Sequence, residues 1–541
     1  MSTAVQTEFR TSGIVRLTWP QLLGTMAGLL LSVLLASLDQ TIVGTAEPRI
    51  IAQLSGFDRY PWVSTTYLLT STLAIPIFAK LSDIYGRKWF FMAGAGGFMF
   101  TSALCGAAGK LTFFGLDGMN QLIISRGLQG VAGGMMMSLA FTIIGDVFSP
   151  AERGKYQGFF AATYGLSSIF GPTLGGWLTD NISWRACFYV NLPVGIIAIA
   201  AIWLQFPYWR PEGIKRNIDW AGVSTLILSI VPLLLALTWV TEYGWASVRV
   251  ESLLVMSAVM LAAFIYIETK AIEPLIPLVL FRTPVISMCS AASFILGMGM
   301  FTVIIYLPLF MQGVLRVSAT ESGNLLTPLL LSSVVGSIAT GQMNLRMRTY
   351  KPSAVAGSIL ITAGMILFAQ MGIGTTRSSV LTAMMVAGVG MGLLMPVYTV
   401  AIQNAASREY MGAASALPTF FRSIGSTVGV AIFGTVLLTN YQRDFPKGVP
   451  PGTPTDLLTL FRNPLMLAQM RPQLDAAFGH YPNGLALLRT LLGNVPAALL
   501  HGINLIFISS AVIMGMAVVL NLMLRNIRLR HGPIKAEAPP H

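Results

Sequence analysis

Long apolar runs follow one another along almost the whole chain, separated mostly by short polar turns. A helix that crosses a bilayer needs about 20 mostly apolar residues. About fourteen such runs are present, and they predict membrane-spanning helices at residues 20–46, 62–81, 89–108, 121–146, 157–179, 186–206, 220–240, 252–269, 286–311, 323–343, 353–374, 379–403, 410–438 and 501–524. Because the runs are continuous and do not alternate in polarity, they predict an all-α polytopic membrane protein and argue against a β-barrel.

Composition agrees with a lipid environment and excludes several classes of function. Of the 541 residues, 54% are hydrophobic and only 10% are charged, whereas about 25% are charged in soluble proteins. The three cysteines all fall inside predicted spans, so they indicate neither a disulfide framework nor a metal site. Metalloprotease, phosphate-loop and CxxC motifs are missing from the sequence. We therefore expect a protein that is not an enzyme and that holds no metal or other cofactor.

The net charge of +13 is concentrated on one side of the predicted membrane. If the N-terminus is cytoplasmic, twenty basic residues lie in cytoplasmic tails and loops, and only seven lie in the short outer loops. The positive-inside rule then places both termini in the cytoplasm. This distribution indicates a multi-pass protein of the plasma membrane and argues against a nucleic-acid partner. We expect a monomer.

Two polar segments interrupt the rhythm of short loops. Residues 207–219 are basic and follow the sixth span, and residues 440–500 form an unusually long outer connection. Similar basic turns follow the second and tenth spans, which suggests two six-span repeats with two spans inserted between them. We predict an N-terminal bundle at 1–206, a hinge with two inserted helices at 207–282, and a C-terminal bundle at 283–541 with an extracytoplasmic loop at 440–500. The second half of that loop could form a short amphipathic helix, or the loop could be a tolerated insertion.

Ionisable side chains inside the predicted spans are the strongest functional candidates. An acid at the membrane centre costs about 2.5–3.5 kcal/mol on insertion scales, so it is a functional hypothesis by default. Asp39 lies in the first span, and Arg126 lies in the fourth. Each is about 28–30 Å along its helix from the cytoplasmic side at about 1.5 Å per residue. We therefore expect them to lie close together, directly or through Gln129 or water. Such a pair could exchange a proton as access alternates, or it could be a permanent salt bridge.

Further polar residues in the spans are candidates for a substrate cavity. Glu47 directly precedes Pro48, which places it near the membrane interface. Arg422 lies about 18 Å into the thirteenth span, where it could contact an anionic substrate group or backbone carbonyls. The candidate cavity set is Glu47, Gln129, Tyr306, Gln312 and Arg422. For Tyr306 and Gln312, hydrogen bonds between helices would be an equally good explanation.

Two further segments carry a recognisable spacing. In AKLSDIYGRK (79–88), Gly86 permits a tight turn, and Arg87 can pair with Asp83 or with Asp146 at the end of the fourth span; a basic membrane anchor would explain Arg87 and Lys88 alone. In GLSSIFGPTLGG (165–176), small residues allow close helix contact and a proline can kink the helix. The residues concerned are Gly165, Gly171, Pro172, Gly175 and Gly176.

These segments resemble motifs of the major facilitator superfamily, in particular of its fourteen-span drug:proton antiporter branch. The matching segments are LDQTIVGTAEP (38–48), residues 79–88 with Ala79 in place of a glycine, RGLQGVAGG (126–134), residues 165–176, and the junction WRACFYVNLPVG (184–195). The resemblance implies two six-helix bundles plus two extra central helices. It also implies proton coupling through Asp39 and Arg126, and a cytoplasmic gating cluster of Asp83, Gly86, Arg87, Lys88 and Asp146. The glycine-rich segment resembles the antiporter motif of exporters.

The expected function is proton-coupled antiport that exports amphipathic or hydrophobic small molecules by alternating access. The partners would be a small-molecule substrate, protons and the lipid bilayer. Two alternatives remain: an exporter of one native metabolite or lipid, and a membrane sensor on the same fold that transports nothing. A resemblance alone does not fix the ligand, because function depends on the site.

Overall fold

The computed structural model describes residues 17–110, 115–148, 150–208, 219–271, 274–347, 349–406, 410–451, 453–462, 464, 467, 471–481 and 483–525. Within these ranges the chain is helical and contains no strand. Most of the basic hinge predicted at 207–219 lies outside the described residues.

Fourteen long helices, α1 to α14, coincide with the fourteen predicted spans. Their bounds are Trp19–Leu54, Trp62–Tyr85, Arg87–Ala107, Gly118–Val147, Pro150–Asn181, Asn191–Gln205, Trp220–Tyr243, Val248–Lys270, Pro284–Leu309, Ala319–Met347, Lys351–Ala369, Arg377–Ala405, Met411–Asp444 and Gly484–Met523. Among the described residues, twelve helical stretches are long and apolar enough to cross a membrane. Helices α2 and α5 are not in that set, so the all-helical membrane fold is confirmed while the count of fourteen spans remains approximate.

The bundle has two end faces. We call the end where α1 begins and α14 ends the near face, and the end where α1 finishes the far face. Helices α1–α6 pack with one another and α9–α14 with one another, while α5 packs along α10 and α2 along α13 between the two groups. Helix α7 covers the α2–α13 contact with Leu226, Ile230 and Leu234, and α8 packs on α7. The division at 206 and 283 stays a prediction.

Helix α1 is longer than predicted and includes Glu47. The run was expected to end near residue 46, but the helix continues through Pro48 to Leu54. Proline lacks an N–H and disturbs the preceding turn of a helix, so nearby carbonyls must find other donors. The Thr45 carbonyl accepts a hydrogen bond of 3.0 Å from Nε2 of Gln312 in the turn that follows α9. Glu47 therefore lies within a continuous helix and is fully buried among its neighbours, while its place near the membrane interface stays a prediction.

The long outer connection is shorter than predicted. Helix α13 runs to Asp444 and α14 begins at Gly484, so the connection spans 445–483 and not 440–500. Residues 484–500 are mostly apolar and continue α14 through Pro496, which explains the difference. A short helix at Arg471–Gly479 lies in the second half of the predicted loop, where one was expected. Phe445 stacks on Tyr441 of α13, and Phe461 and Phe478 continue this aromatic cluster within the connection.

Candidate functional site

The predicted contact between Asp39 and Arg126 is present in the centre of the first group of helices. Nη1 of Arg126 lies 2.6 Å from Oδ2 of Asp39, and both side chains are at least 98% buried. Gln129, one turn from Arg126 on α4, joins both: its Nε2 donates to Oδ1 of Asp39 at 3.0 Å, and its Oε1 accepts from Arg126 at 2.8 Å. The predicted direct contact and the predicted contact through Gln129 are therefore both present in one buried network.

The guanidinium of Arg126 is surrounded by groups that suit a cation. Its Nε donates to the Val63 carbonyl at 3.3 Å, which ties α4 to α2. The Tyr67 ring lies 4.2 Å from the guanidinium carbon, and the Phe188 ring lies 6.0 Å away. Cation–π contacts of this kind strengthen when water is excluded. The cation is therefore supported by more than its carboxylate partner, which allows it to stay in place if Asp39 becomes neutral.

Asn191 completes the Asp39 environment and was missed as a site residue. The sequence predicts only a junction at residues 184–195, before the sixth span. In the structure its Nδ2 donates to Oδ1 of Asp39 at 3.0 Å and lies 3.0 Å from Oγ of Ser102. Oγ of Ser102 donates in turn to the Phe188 carbonyl at 2.9 Å. An amide at the start of an apolar span was the available signal. Only the fold shows that α6 brings this amide to α1.

The near-face cluster predicted around the turn of residues 79–88 is partly assembled. Gly86 has a φ of 103°, a backbone region that favours glycine, and it connects α2 to α3 directly. Nε of Arg87 lies 2.9 Å from Oδ2 of Asp146 on α4, and its Nη1 donates to Ser82 at 2.6 Å. Nζ of Lys88 donates instead to the Trp203 carbonyl at the end of α6. The Asp83 side chain lies outside the described residues, so its predicted pairing stays a prediction.

The glycine-rich segment of α5 contacts two different helices. A side chain at Gly171 would overlap Thr41 of α1, and one at Gly175 would overlap Ile42 and Thr45. A side chain at Gly176 would overlap the backbone of Ala319 and Thr320 on α10. The fourth glycine, Gly165, has ordinary space against Val334. Small residues permit such close helix contacts.

Pro172 joins the same contact between α5 and α10 through its carbonyl, because a side chain at Gly323 would overlap that oxygen. Oγ1 of Thr173 and Oγ1 of Thr327 are 3.2 Å apart across this contact. The glycine-rich segment therefore lies where the two groups of helices meet, as well as against α1.

Glu47 forms a second buried acidic position on α1, two turns beyond Asp39. Oγ of Ser64 on α2 approaches both carboxyl oxygens, at 3.2 and 3.1 Å. Within the described part of the chain, no cation lies within ion-pair distance of Glu47. An isolated buried carboxyl is tolerated more easily as the neutral acid. Glu47 and Asp39 therefore share a helix but not an environment.

The five candidate cavity residues do not line one space in this conformation. Tyr306 is fully buried, and its hydroxyl donates to the Val430 carbonyl at 2.7 Å. Gln312 is half-buried at the far face, whereas Gln129 belongs to the Asp39 network. Arg422 of α13 is half-buried and interacts electrostatically with Tyr164 of α5. A common cavity for these residues would require a rearrangement of the bundle.

Aromatic and polar contacts close the far face between the two groups of helices. The Tyr60 ring stacks on Tyr306 with centroids 5.9 Å apart, and its hydroxyl donates to the Ile305 carbonyl at 3.1 Å. Phe57 contacts Tyr441 edge to face at 5.4 Å. Oδ2 of Asp180 accepts from the Thr320 backbone N–H at 2.7 Å. This structure is therefore shut at the far face.

The residues that the structure describes contain no group of three or more His, Cys, Asp or Glu side chains placed to hold a metal ion. Cys105, Cys187 and Cys289 are buried free thiols.

Comparison with known sequences gives a family and several named relatives. Residues 29–430 match the family model described as Major Facilitator Superfamily. Multidrug transporter protein MdtP from Bacillus subtilis (strain 168) is 40% identical over 76% of this chain and 74% of its own length. Multidrug resistance protein 3 from the same organism is 38% identical over 78% of this chain and 81% of its own length. The MFS-type efflux pump MFS1 from Trichophyton rubrum is 31% identical, with 84% of each chain covered.

A solved structure supports the fold. A bacterial homologue of the human lysosomal transporter Spinster, crystallised in an inward-facing and unoccupied conformation, superposes with a TM-score of 0.63. The match covers 93% of this chain and 98% of that chain at 15% sequence identity. At that identity the likeness concerns the fold alone.

Proposed function

Because the chain belongs to the major facilitator superfamily, we propose that it exports amphipathic or hydrophobic small molecules in exchange for protons. The family assignment itself makes the chain a multi-pass membrane transporter of small molecules and not an enzyme. Proton coupling, the direction of transport and the type of substrate form the proposal. The names of the multidrug and efflux relatives support it.

The Asp39–Arg126 contact is the single observation that carries the proton-coupling proposal. A carboxylate sealed from water can bind or release a proton only when a conformational change alters its surroundings. Asp39 accepts from Arg126, Gln129 and Asn191, which come from two other helices. Relative movement of these helices would remove donors from the carboxylate and favour its protonation. The charge of Arg126 stays supported meanwhile by Tyr67 and by the Val63 carbonyl.

Alternating access would use the contacts between the two groups of helices. Because glycine has no side chain to interlock, the two groups of helices can rotate relative to each other at the close glycine contacts between α5 and α10. Tyr60, Tyr306 and Asp180 would separate when the far face opens. The near-face cluster of Asp83, Arg87, Lys88 and Asp146 would then help to keep the near face shut. Its Arg87–Asp146 pair lies within the first group of helices and is already formed in this structure.

The orientation in the membrane follows from the distribution of charge. The bias of basic residues toward one side supports a cytoplasmic near face with both termini in the cytoplasm. The far face, with the 445–483 connection, is then extracytoplasmic in the plasma membrane. The protein functions as a monomer with an N-terminal bundle at 1–206, two inserted helices within 207–282 and a C-terminal bundle at 283–541. The closed far face corresponds to the state that accepts substrate from the cytoplasm.

Transport into sealed proteoliposomes tests the proposal. The full chain is reconstituted, an acid-inside gradient is imposed, and uptake of ethidium, rhodamine 6G and tetraphenylphosphonium is followed from the outside. Molecules inserted with the cytoplasmic face outward should use the proton gradient to concentrate a probe inside the vesicle. Collapsing the gradient should abolish this accumulation. Asp39→Asn should bind the probe but should not accumulate it, because the amide cannot carry a proton.

Glu251→Gln is the matched control, since Glu251 is an exposed acid in the first turn of α8. This variant should accumulate the probes at the wild-type rate. If the gradient alters passage of none of the probes, or if Asp39→Asn accumulates them normally, the proposal is wrong.

A further inference from the structure

A cavity of about 490 Å³ lies at the far face, outside the Asp39 network and apart from the predicted proton path. Its walls come from the last turns of α1, the turn after α9, the first turns of α14, and the 445–483 connection. We call it the far-face cavity. Its volume falls within the range of small-molecule sites, about 300–1,000 Å³.

The polar lining of the far-face cavity is strongly cationic. Arg49, Arg316, Arg471 and Arg489 all line it, and none of the described lining residues is acidic. Arg471 is partly neutralised, because its Nε lies 3.1 Å from Oδ1 of Asp475. The other three guanidinium groups form no ion pair with a described residue. Like charges that converge on one concave space favour a bound anion.

The remaining wall of the cavity is apolar. Pro464 and Leu467 from the connection line it together with Leu492 and Val495 from α14. Guanidinium groups bind carboxylates and phosphates through paired N–H donors, whereas the leucine wall favours hydrocarbon. The chemistry of the lining therefore suits an amphipathic anion, with one charged head and a short apolar body.

The backbone beside the cavity departs from regular structure. Residues Phe310–Val314 form a π-helical turn at the end of α9. Arg316 follows with a φ of 58°, a value that residues other than glycine rarely adopt. Irregular turns and left-handed residues of this kind cluster at binding sites and switch regions. Here they present Gln312 and Arg316 to the same cavity.

The far-face cavity also bridges the two groups of helices. Arg49 belongs to α1, in the first group, whereas Arg316 and Arg489 belong to the second. Next to the cavity, Gln312 donates to the Thr45 carbonyl and joins the same two groups. Opening of the far face would pull these walls apart. A ligand that needs both walls binds the closed state more tightly, and it therefore shifts the population toward that state.

We propose that the far-face cavity binds an amphipathic anion, a carboxylate or phosphate on an apolar body, and that this ligand holds the far face shut. Binding is independent of proton coupling, so the site exists whether or not the protein is an antiporter. The anion would come from an acidic lipid headgroup of the outer leaflet or from a free amphiphile.

Calorimetric titration of the full chain in phosphatidylcholine nanodiscs tests the binding site. Octyl phosphate is the probe, octyl glucoside carries the tail without the charge, and inorganic phosphate carries the charge without the tail. Octyl phosphate should bind more tightly than either. The double variant Arg316→Gln/Arg489→Gln should bind it at least about tenfold more weakly, because it loses two charge-assisted contacts.

Arg377→Gln is the matched control, because Arg377 is an exposed far-face arginine that does not line the cavity. It should bind octyl phosphate like the wild type. Arg49→Gln, on a different helix, should weaken binding without touching α9 or α14. Equal binding by the double variant and the wild type would overturn the site, as would equal binding of octyl glucoside and octyl phosphate.

The source of the anion is distinguished by lipid composition. In nanodiscs that contain phosphatidylglycerol, a lipid occupant would block octyl phosphate in the wild type. A cavity reserved for free amphiphiles would bind octyl phosphate equally in both kinds of nanodisc. Either result retains the amphipathic-anion site, whereas no binding in either kind of nanodisc would refute it.

Spin labels at Lys110→Cys and Gly374→Cys report on closure, since both positions are exposed at the far face on opposite groups of helices. The three native thiols are buried and should label poorly. Octyl phosphate should shift the distance distribution toward its short component in the wild type and not in the Arg316→Gln/Arg489→Gln background. If the ligand binds but the distribution does not change, the proposed clamp is wrong.

Discussion

Asp39 and Glu47 lie two turns apart on α1, and both are fully buried, yet their surroundings differ completely. Asp39 accepts hydrogen bonds from Arg126, Gln129 and Asn191. Glu47 has the hydroxyl of Ser64. Two acids with the same burial therefore differ in their partners: Asp39 has a cation and two amide donors, whereas Glu47 has a hydroxyl donor.

This difference in partners bears on how each buried acid can gain or lose a proton. A buried carboxylate that is paired and hydrogen-bonded can persist in the ionised form. Its charge can change only if the helices that supply its partners move apart. Glu47 does not depend on such partners. Its protonation state should therefore change much less than that of Asp39 when the helices move. The predictions below test this contrast, beginning with the largest expected effect.

Arg126→Met should destabilise the protein most strongly, because it leaves Asp39 buried without its cation. Loss of one partner of a buried pair costs about 3–5 kcal/mol. The double variant Asp39→Asn/Arg126→Met should recover part of that loss, since it also removes the orphaned carboxylate. Thermal unfolding in detergent, followed by tryptophan fluorescence, measures both.

Arg249→Met is the control for that series, because Arg249 is exposed and its described side-chain contact is with the Tyr243 ring. It should unfold like the wild type. If Arg126→Met matched this control, the Asp39–Arg126 contact would contribute nothing to the fold.

Asn191→Leu should have an intermediate effect. The leucine keeps roughly the side-chain volume but removes one donor from Asp39 and the contact with Ser102. Loss of a hydrogen bond to a charged group costs about 1.5–3 kcal/mol. Asn181→Leu is the matched control, since Asn181 is exposed and donates only to the Trp177 carbonyl of its own helix. Similar melting temperatures for the two variants would show that the hydrogen bond from Asn191 to Asp39 does not stabilise the protein.

Glu47→Gln should have a small effect, because glutamine closely copies a neutral carboxyl. Its change in the free energy of unfolding should stay within about 1 kcal/mol. Proton-driven accumulation of ethidium in proteoliposomes should continue near the wild-type rate. Loss of that accumulation to the level of Asp39→Asn would show that the two acids have the same role after all.

Ser64→Ala should likewise have a small effect, about 0.5–1.5 kcal/mol for one neutral hydrogen bond. Combined with Glu47→Gln, it should add little, since both changes act on the same contact. A larger effect than that of Asn191→Leu would mean that Glu47 is charged in the folded protein.

The sequence was sufficient to predict the helices and the central ion pair. Apolar runs report spans directly, because lipid requires every backbone polar group to be satisfied within the helix. Equal depth along two antiparallel helices was enough to bring Asp39 and Arg126 together. The turn at Gly86 was also readable, since few other residues adopt its φ of 103°.

Other features depend on tertiary contacts that one sequence does not display. Pro48 suggested an end to α1, but packing and the Gln312–Thr45 hydrogen bond carry the helix past it and bury Glu47. Asn191 was interpreted as structural because its partner lies 152 residues away. The far-face cavity draws its arginines from separate elements, so no local motif could reveal it.

The central claim is that Asp39 exchanges a proton as the protein handles its substrate. Proton release on binding tests it most directly: purified protein in weakly buffered detergent solution is mixed with tetraphenylphosphonium, and a pH-sensitive dye reports protons released per molecule bound. The account predicts release by the wild type and by Glu47→Gln, and none by Asp39→Asn even where that variant binds the probe. Equal release by Asp39→Asn and the wild type would contradict it.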